Sequence, residues 1–262
     1  MTVQFRAFAR EAANLIMPVA CAGCGALDIA VCETCFAELY RPLRRIDADA
    51  RYLAGVLPTY ASADYAKARR LTLAYKNHAR RDIAPLVLAA ARAAGEEWFS
   101  RTSAESHDVA QVAEQLASGG CLVAIPAPSG RARRWRRRLV AAELAEAFLT
   151  GVRDSALIRL GAPPRLAVAD ILRKPLAAEL SGHLAPLGAA DRAAARRAAV
   201  VSIGELAKDD IAILIDDIVT TGATLGASVR TLRRDGVKVA SAWALAATEM
   251  KSAPGALMAR HN

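Results

Sequence analysis

Residues 213–225 read ILIDDIVTTGATL: an apolar run, two adjacent carboxylates, then hydroxyl-bearing residues around a glycine. The run IAILI at 211–215 shows no alternation, which predicts a strand buried on both faces, as in a parallel sheet. A helix is predicted from about Thr224 to Arg234, with Gly236 where a left-handed C-terminal residue is wanted. VASAWALA at 239–246 then supplies a second apolar strand. Strand, helix and strand in that order make a βαβ unit, and the class is α/β.

Asp216 and Asp217 fall at the carboxyl end of such a strand, the edge where open α/β sheets bind ligands. Two adjacent acids repel one another unless something bridges them. Ribose hydroxyls donate hydrogen bonds to carboxylates, and a nearby divalent cation offsets their charge. Thr220, Thr221, Gly222, Ala223 and Thr224 form a turn into a helix N-terminus, where unpaired N–H groups and the helix dipole favour a phosphate. Gly222 removes a Cβ that could keep the backbone from closing on that phosphate. The thirteen residues describe a site for a sugar carrying a phosphate.

Upstream, CLVAIP at 121–126 predicts a strand followed by the turn APSG and a long helix, and RLAVADIL at 165–172 another strand. LAGVLPTY at 53–60 predicts a further strand. Residues 65–95 read as two helices broken near Asn77 and ended by Gly95, and residues 96–119 as a peripheral polar segment with helical potential in VAEQLA. Arg131, Arg133, Arg134, Arg136, Arg137 and Arg138 make the densest basic cluster, with Trp135 among them. A solvated helix face is one reading of that run; a nucleic-acid contact in which Trp135 stacks on a base is the other.

Four of the five cysteines lie in CAGCGALDIAVCETC, as Cys21, Cys24, Cys32 and Cys35. Two CxxC turns facing each other supply an all-sulfur tetrahedral cage, and structural Zn2+ is the favoured ion. Two disulfides, an iron–sulfur cluster and a redox CxxC are the alternatives. A closed four-cysteine site leaves no open position for catalysis; its metal would hold together a segment too short to fold alone. Cys121 reads as an ordinary buried residue.

The formal charge of +9 points to a polyanionic partner, either phosphate on a small molecule or a nucleic-acid backbone. Alanine-rich composition with 5% aromatics predicts an aliphatic core with many helices. No apolar run approaches the roughly 20 residues needed to cross a bilayer. Arg6, Arg10 and Glu11 interrupt the N-terminal apolar residues, which read as a short amphipathic helix stopped near Pro18, and a cytoplasmic protein is expected. His78, His107, His183 and His261 show no metal or triad spacing.

With its apolar strand, acid pair and T-T-G-A-T turn, the 213–225 stretch resembles the phosphoribosyl pyrophosphate (PRPP) motif of type I phosphoribosyltransferases. The resemblance implies that Asp216 and Asp217 hold the ribose 2- and 3-hydroxyls, that Thr220 to Thr224 wrap the 5-phosphate, and that Mg2+ accompanies PRPP. Purine-specific members commonly carry another Asp at the position of Thr220. The loop after the 121–126 strand sits where the family binds pyrophosphate, which implies that role for Ser129, Gly130 and Arg131, with Lys76 a poorer candidate for the departing diphosphate. Lys76 otherwise reads as a snorkelling surface residue. The double-CxxC knuckle ahead of such a domain, together with LAYKNH at 73–78 and IPAPSGRAR at 125–133, resembles the ComF family, associated with natural competence and DNA uptake. Arg137-Arg138-Leu139-Val140-Ala141 stands where that family has R-G-F-N-Q, and no catalytic residue is assigned. The implied organisation is a helix and zinc knuckle in residues 1–45 and a phosphoribosyltransferase-like open parallel sheet flanked by helices in 46–262, its core at about 120–250. Implied partners are PRPP, single-stranded DNA or a DNA-uptake helicase; the alternative to an active transferase is a DNA- or partner-binding protein on the same fold.

Overall fold

The apolar residues around the acid pair do form a central strand, with other described elements on its two sides. A computed structural model describes residues 19–77, 80–101, 106–129, 140–175 and 200–248. The elements are α1 (Glu33–Ala37), β1 (Arg44–Arg45), β2 (Thr59–Asp64), α2 (Tyr65–Lys76), α3 (Ala84–Ser100), α4 (His107–Ala117), β3 (Cys121–Pro126), α5 (Val140–Leu160), β4 (Arg165–Val168), β5 (Leu172–Arg173), β6 (Val201–Ser202), β7 (Ile211–Val219), α6 (Ala223–Arg234) and β8 (Lys238–Ala247). A 3-10 turn at Arg81–Ile83 leads into α3.

Six strands make one sheet in the order β1-β2-β8-β7-β3-β4, parallel except for β1 at one edge. Ile215 of β7 pairs with Trp243 of β8, and Ile213 with Ala124 of β3. Successive residues of β7 enter opposite cores. Ile211, Ile213 and Ile215 join a cluster built with α2, α3, α4 and α5, whereas Ala212 and Leu214 join one built with α6 and the segment between β1 and β2. That double burial is why the sequence shows no alternation.

The connection through α5 carries the chain from β3 outward to β4, and the connection through α6 carries it from β7 the other way to β8. The two helices cover opposite faces. The carboxyl ends of the adjacent strands β3 and β7 therefore diverge into a crevice, the switch point at which open α/β sheets take ligands.

Four expectations are revised. LAGVLPTY is strand only in its last two residues: Leu53 lies in a turn and Leu57 just after it, both packed in the cluster with α6, and β2 begins at Thr59. Gly95 does not end a helix. It lies inside α3 at the crossing with α5, where an added Cβ would meet the Phe148 carbonyl, as one at Gly151 would meet that of Arg92. The stretch after it is not peripheral, since Val109, Val112 and Leu116 of α4 are buried and Tyr60 donates to the buried Asp108 at 3.1 Å. RLAVADIL splits at a tight turn, Ile171 N–H to Ala169 C=O at 3.0 Å, so β5 leaves the main sheet and pairs antiparallel with β6.

Phe148 bridges Trp98 and Trp243 in the core, at ring separations of 5.7 and 5.2 Å. Gly236 has φ +81° just past α6, as its position predicts. Among the described residues no helix is long and apolar enough to cross a membrane.

Candidate functional site

The crevice at the ends of β3 and β7 holds a polar cavity of about 140 Å³. Asp216, Asp217 and Thr224 reach it from the β7 side, Ser129 from the loop after β3, Lys76 from α2, and Lys174 from the residue after β5.

The two acids sit in unequal surroundings. Asp217 is 8% exposed, and its Oδ1 accepts a hydrogen bond from Lys76 Nζ at 2.8 Å. Asp216 Oδ1 accepts the backbone N–H of Asp217, also at 2.8 Å. Burial first, and the neighbouring Asp217 charge second, push the Asp216 carboxyl up to about 8, against the pull of Lys76. A hydroxyl-bearing ligand with a cationic companion would relieve that repulsion.

Lys76 is not the surface residue that its sequence suggests. Its side chain is 19% exposed and ion-paired across the sheet edge. A signal existed: Ala68 and Thr72, both buried, stand eight and four positions before it, so Lys76 continues an i, i+4 row on the packed face of α2. Lys174 carried no such signal; it reaches the cavity because β5 turns out of the sheet.

The turn after β7 departs from its expected logic at one residue. Gly222 caps α6 with φ +75° and ψ +7°, a left-handed conformation that a side chain disfavours. A Cβ there would come within 2.5 Å of Leu53 Cγ, so the close approach that requires glycine is to the β1–β2 segment. Tyr52 N–H donates to Thr221 C=O at 3.1 Å, fastening the same segment to the turn. Thr221 Oγ1 accepts the N–H of Ala223 at 3.4 Å, and Gly226 N–H closes the first turn on Gly222 C=O at 2.8 Å. Thr220 and Thr221 are exposed beyond the cavity lining, whereas Thr224, in the first turn of α6, is on it. Gly130 and Arg131, the arginine run to Arg138 with Trp135, and the N-terminal residues to Pro18 lie outside the described residues, as do His78, His183 and His261.

A second constellation is the cysteine knuckle. The Sγ atoms of Cys21, Cys24, Cys32 and Cys35 lie within 4.8 Å of one another, and none is in a disulfide. Such a group could hold a metal ion such as zinc. The backbone is shaped for it: Cys32 N–H points at Cys21 Sγ at 3.3 Å, and a Cβ on Gly23 would meet Cys35 Sγ at 2.5 Å. Burial pushes the Cys21 thiol up, but N–H groups of Cys32, Cys24 and Gly23 outweigh it and bring it down to about 6. Burial and the other three sulfurs push Cys35 up to about 12, since another thiolate charge there needs a cation. These donors fit a soft divalent metal. Arg80 docks the knuckle, donating to the carbonyls of Ala20 at 2.6 Å and Ala30 at 3.5 Å. Cys121 stands apart, buried at the start of β3.

A scan against protein-family models returns no match, and a search of curated proteins finds no match in sequence.

Proposed function

We propose that the chain binds PRPP, or a related ribose 5-phosphate, in the cavity at the ends of β3 and β7, as a phosphoribosyltransferase-like protein of the ComF type. The observation that carries this reading is the acid pair, Asp217 buried and Asp216 partly so, beside the N-terminus of α6 at a switch point. Carboxylates accept hydrogen bonds from a diol, and a helix N-terminus suits a phosphate, so the ligand proposed here is a small polyol phosphate. The ribose hydroxyls donate to Asp216 and Asp217, the 5-phosphate sits at the turn 220–224, and Mg2+ accompanies the diphosphate. Ser129 and Lys174 face the diphosphate side. In a transfer reaction the C1–oxygen bond to pyrophosphate breaks and an acceptor bonds to C1. The protein contributes position and charge stabilisation. The four cysteines hold structural zinc.

The test is calorimetric titration of PRPP with Mg2+, and separately of single-stranded DNA, into wild type and Asp216→Asn/Asp217→Asn. PRPP binding should be lost in the double variant. Equal PRPP affinity in the two proteins, or binding of DNA alone, overturns the proposal.

A further inference from the structure

Lys76 is the last residue of α2, where a cation also meets the carbonyl end of the helix dipole. The helix is held on two sides. Leu71, Thr72 and Tyr75 are buried beneath it, and Tyr75 donates to Glu143 of α5 at 2.9 Å. The stem of Lys76 therefore starts from a fixed point, and its ammonium meets Asp217 with both side chains largely buried. A long flexible cation ordinarily loses several rotamers in forming such a contact, a cost reduced here because the helix end is already immobilised.

The consequence is asymmetry between two neighbouring acids. A buried carboxylate without a partner is costly, and two side by side more so. Lys76 supplies a partner to one of them, while Asp216 is braced by the N–H of Asp217. An ionised carboxylate offers about four acceptor positions, so a single bond to Lys76 leaves Asp217 able to take ligand hydroxyls.

We propose that Lys76 is a positioning residue: it holds the Asp217 carboxylate aimed at the cavity, so that a ligand bearing a vicinal diol meets a fixed acceptor. This rests on the reading of the cavity as a ribose 5-phosphate site and adds to it the element that makes the diol side work. In this role Lys76 acts through Asp217, the carboxylate its ammonium meets at 2.8 Å.

Calorimetry on the full chain separates these roles, using D-ribose 5-phosphate and Mg2+-pyrophosphate as probes. Lys76→Met should weaken ribose 5-phosphate by about 10-fold and leave pyrophosphate within about 2-fold, with Lys76→Arg restoring most of the loss. In an Asp217→Asn background, Lys76→Met should add less than about 2-fold, the signature of a residue acting through its partner. Thermal unfolding of each variant accompanies the titrations. If Lys76→Met does not fold, Lys76→Met/Asp217→Asn removes both charges together, and its comparison with Asp217→Asn and Lys76→Arg decides the matter. Equal weakening of both probes, or additive effects of the two substitutions, makes Lys76 a direct ligand contact and overturns the proposal. If wild type binds ribose 5-phosphate and Asp217→Asn does not, while Lys76→Met binds normally, the positioning role alone fails. If wild type binds neither ribose 5-phosphate nor PRPP, the cavity reading fails and the role of Lys76 with it.

Discussion

Leu53 sits where a side chain at Gly222 would have to go, and the turn after the acid pair is thereby held from behind by the segment between β1 and β2. Gly222→Ala combines a left-handed φ with that clash, and is expected to cost about 2 kcal/mol and to shift the turn. Leu53→Ala removes the buttress instead, at about 2–5 kcal/mol. Urea unfolding reads both effects. Ribose 5-phosphate affinity should fall further in the glycine variant, which deforms the turn directly.

Gly95 and Gly151 let α3 and α5 cross backbone to backbone. Alanine at either position drives a methyl group into a carbonyl of the facing helix, and there is no flexible side chain to yield. The expected loss is about 1–3 kcal/mol or more, although alanine is the better helix former by about 1 kcal/mol. A stability gain in Gly95→Ala would argue against the close backbone crossing.

The raised carboxyl of Asp216 has a consequence for stability. Between the ordinary carboxylate value of 3.8 and about 8, the folded protein keeps a proton that the unfolded chain has lost. Its contribution to stability is therefore complete in acid and declines as pH rises through that window. Asp216→Asn should flatten this slope and raise stability at neutral pH by on the order of 1 kcal/mol while weakening ligand binding. Unfolding midpoints measured from pH 5 to 9 for both proteins check the sign. A parallel pair of curves argues against an elevated Asp216.

The knuckle should contain metal in protein purified without chelators, near one zinc per chain by elemental analysis. Chelation, or Cys24→Ser, should lower the thermal midpoint because binding energy of the metal is folding energy for this segment. Arg80 ties the knuckle to the residues just after α2, through the carbonyls of Ala20 and Ala30. Arg80→Ala should keep the metal yet expose the knuckle to proteolysis. Free thiols that titrate normally in the native protein would sink the metal assignment.

Much of the parallel sheet was legible because strands buried on both faces lack an alternation of apolar and polar residues, as IAILI, VASAWALA and CLVAIP do. The cysteine cluster was legible for a similar reason: two CxxC turns close on themselves through local geometry, without help from distant residues. Gly95 was misread because a glycine that ends a helix and one that admits a second helix look alike in one dimension. The β1–β2 segment was misread because Leu53, Val56 and Leu57 are apolar to cover α6, not to form a strand.

The local sequence determined that an acid pair would be followed by a glycine-containing turn into a helix, since strand, turn and cap are short-range choices of φ, ψ and polarity. It could not determine which cation would stand opposite those acids. Lys76 meets Asp217 across 141 residues of chain. That distance is closed only when α2 packs on one face of the sheet and β7 takes its place between β3 and β8. The charge balance of the site is a property of that packing, because electrostatic partners are chosen by distance in space and by burial.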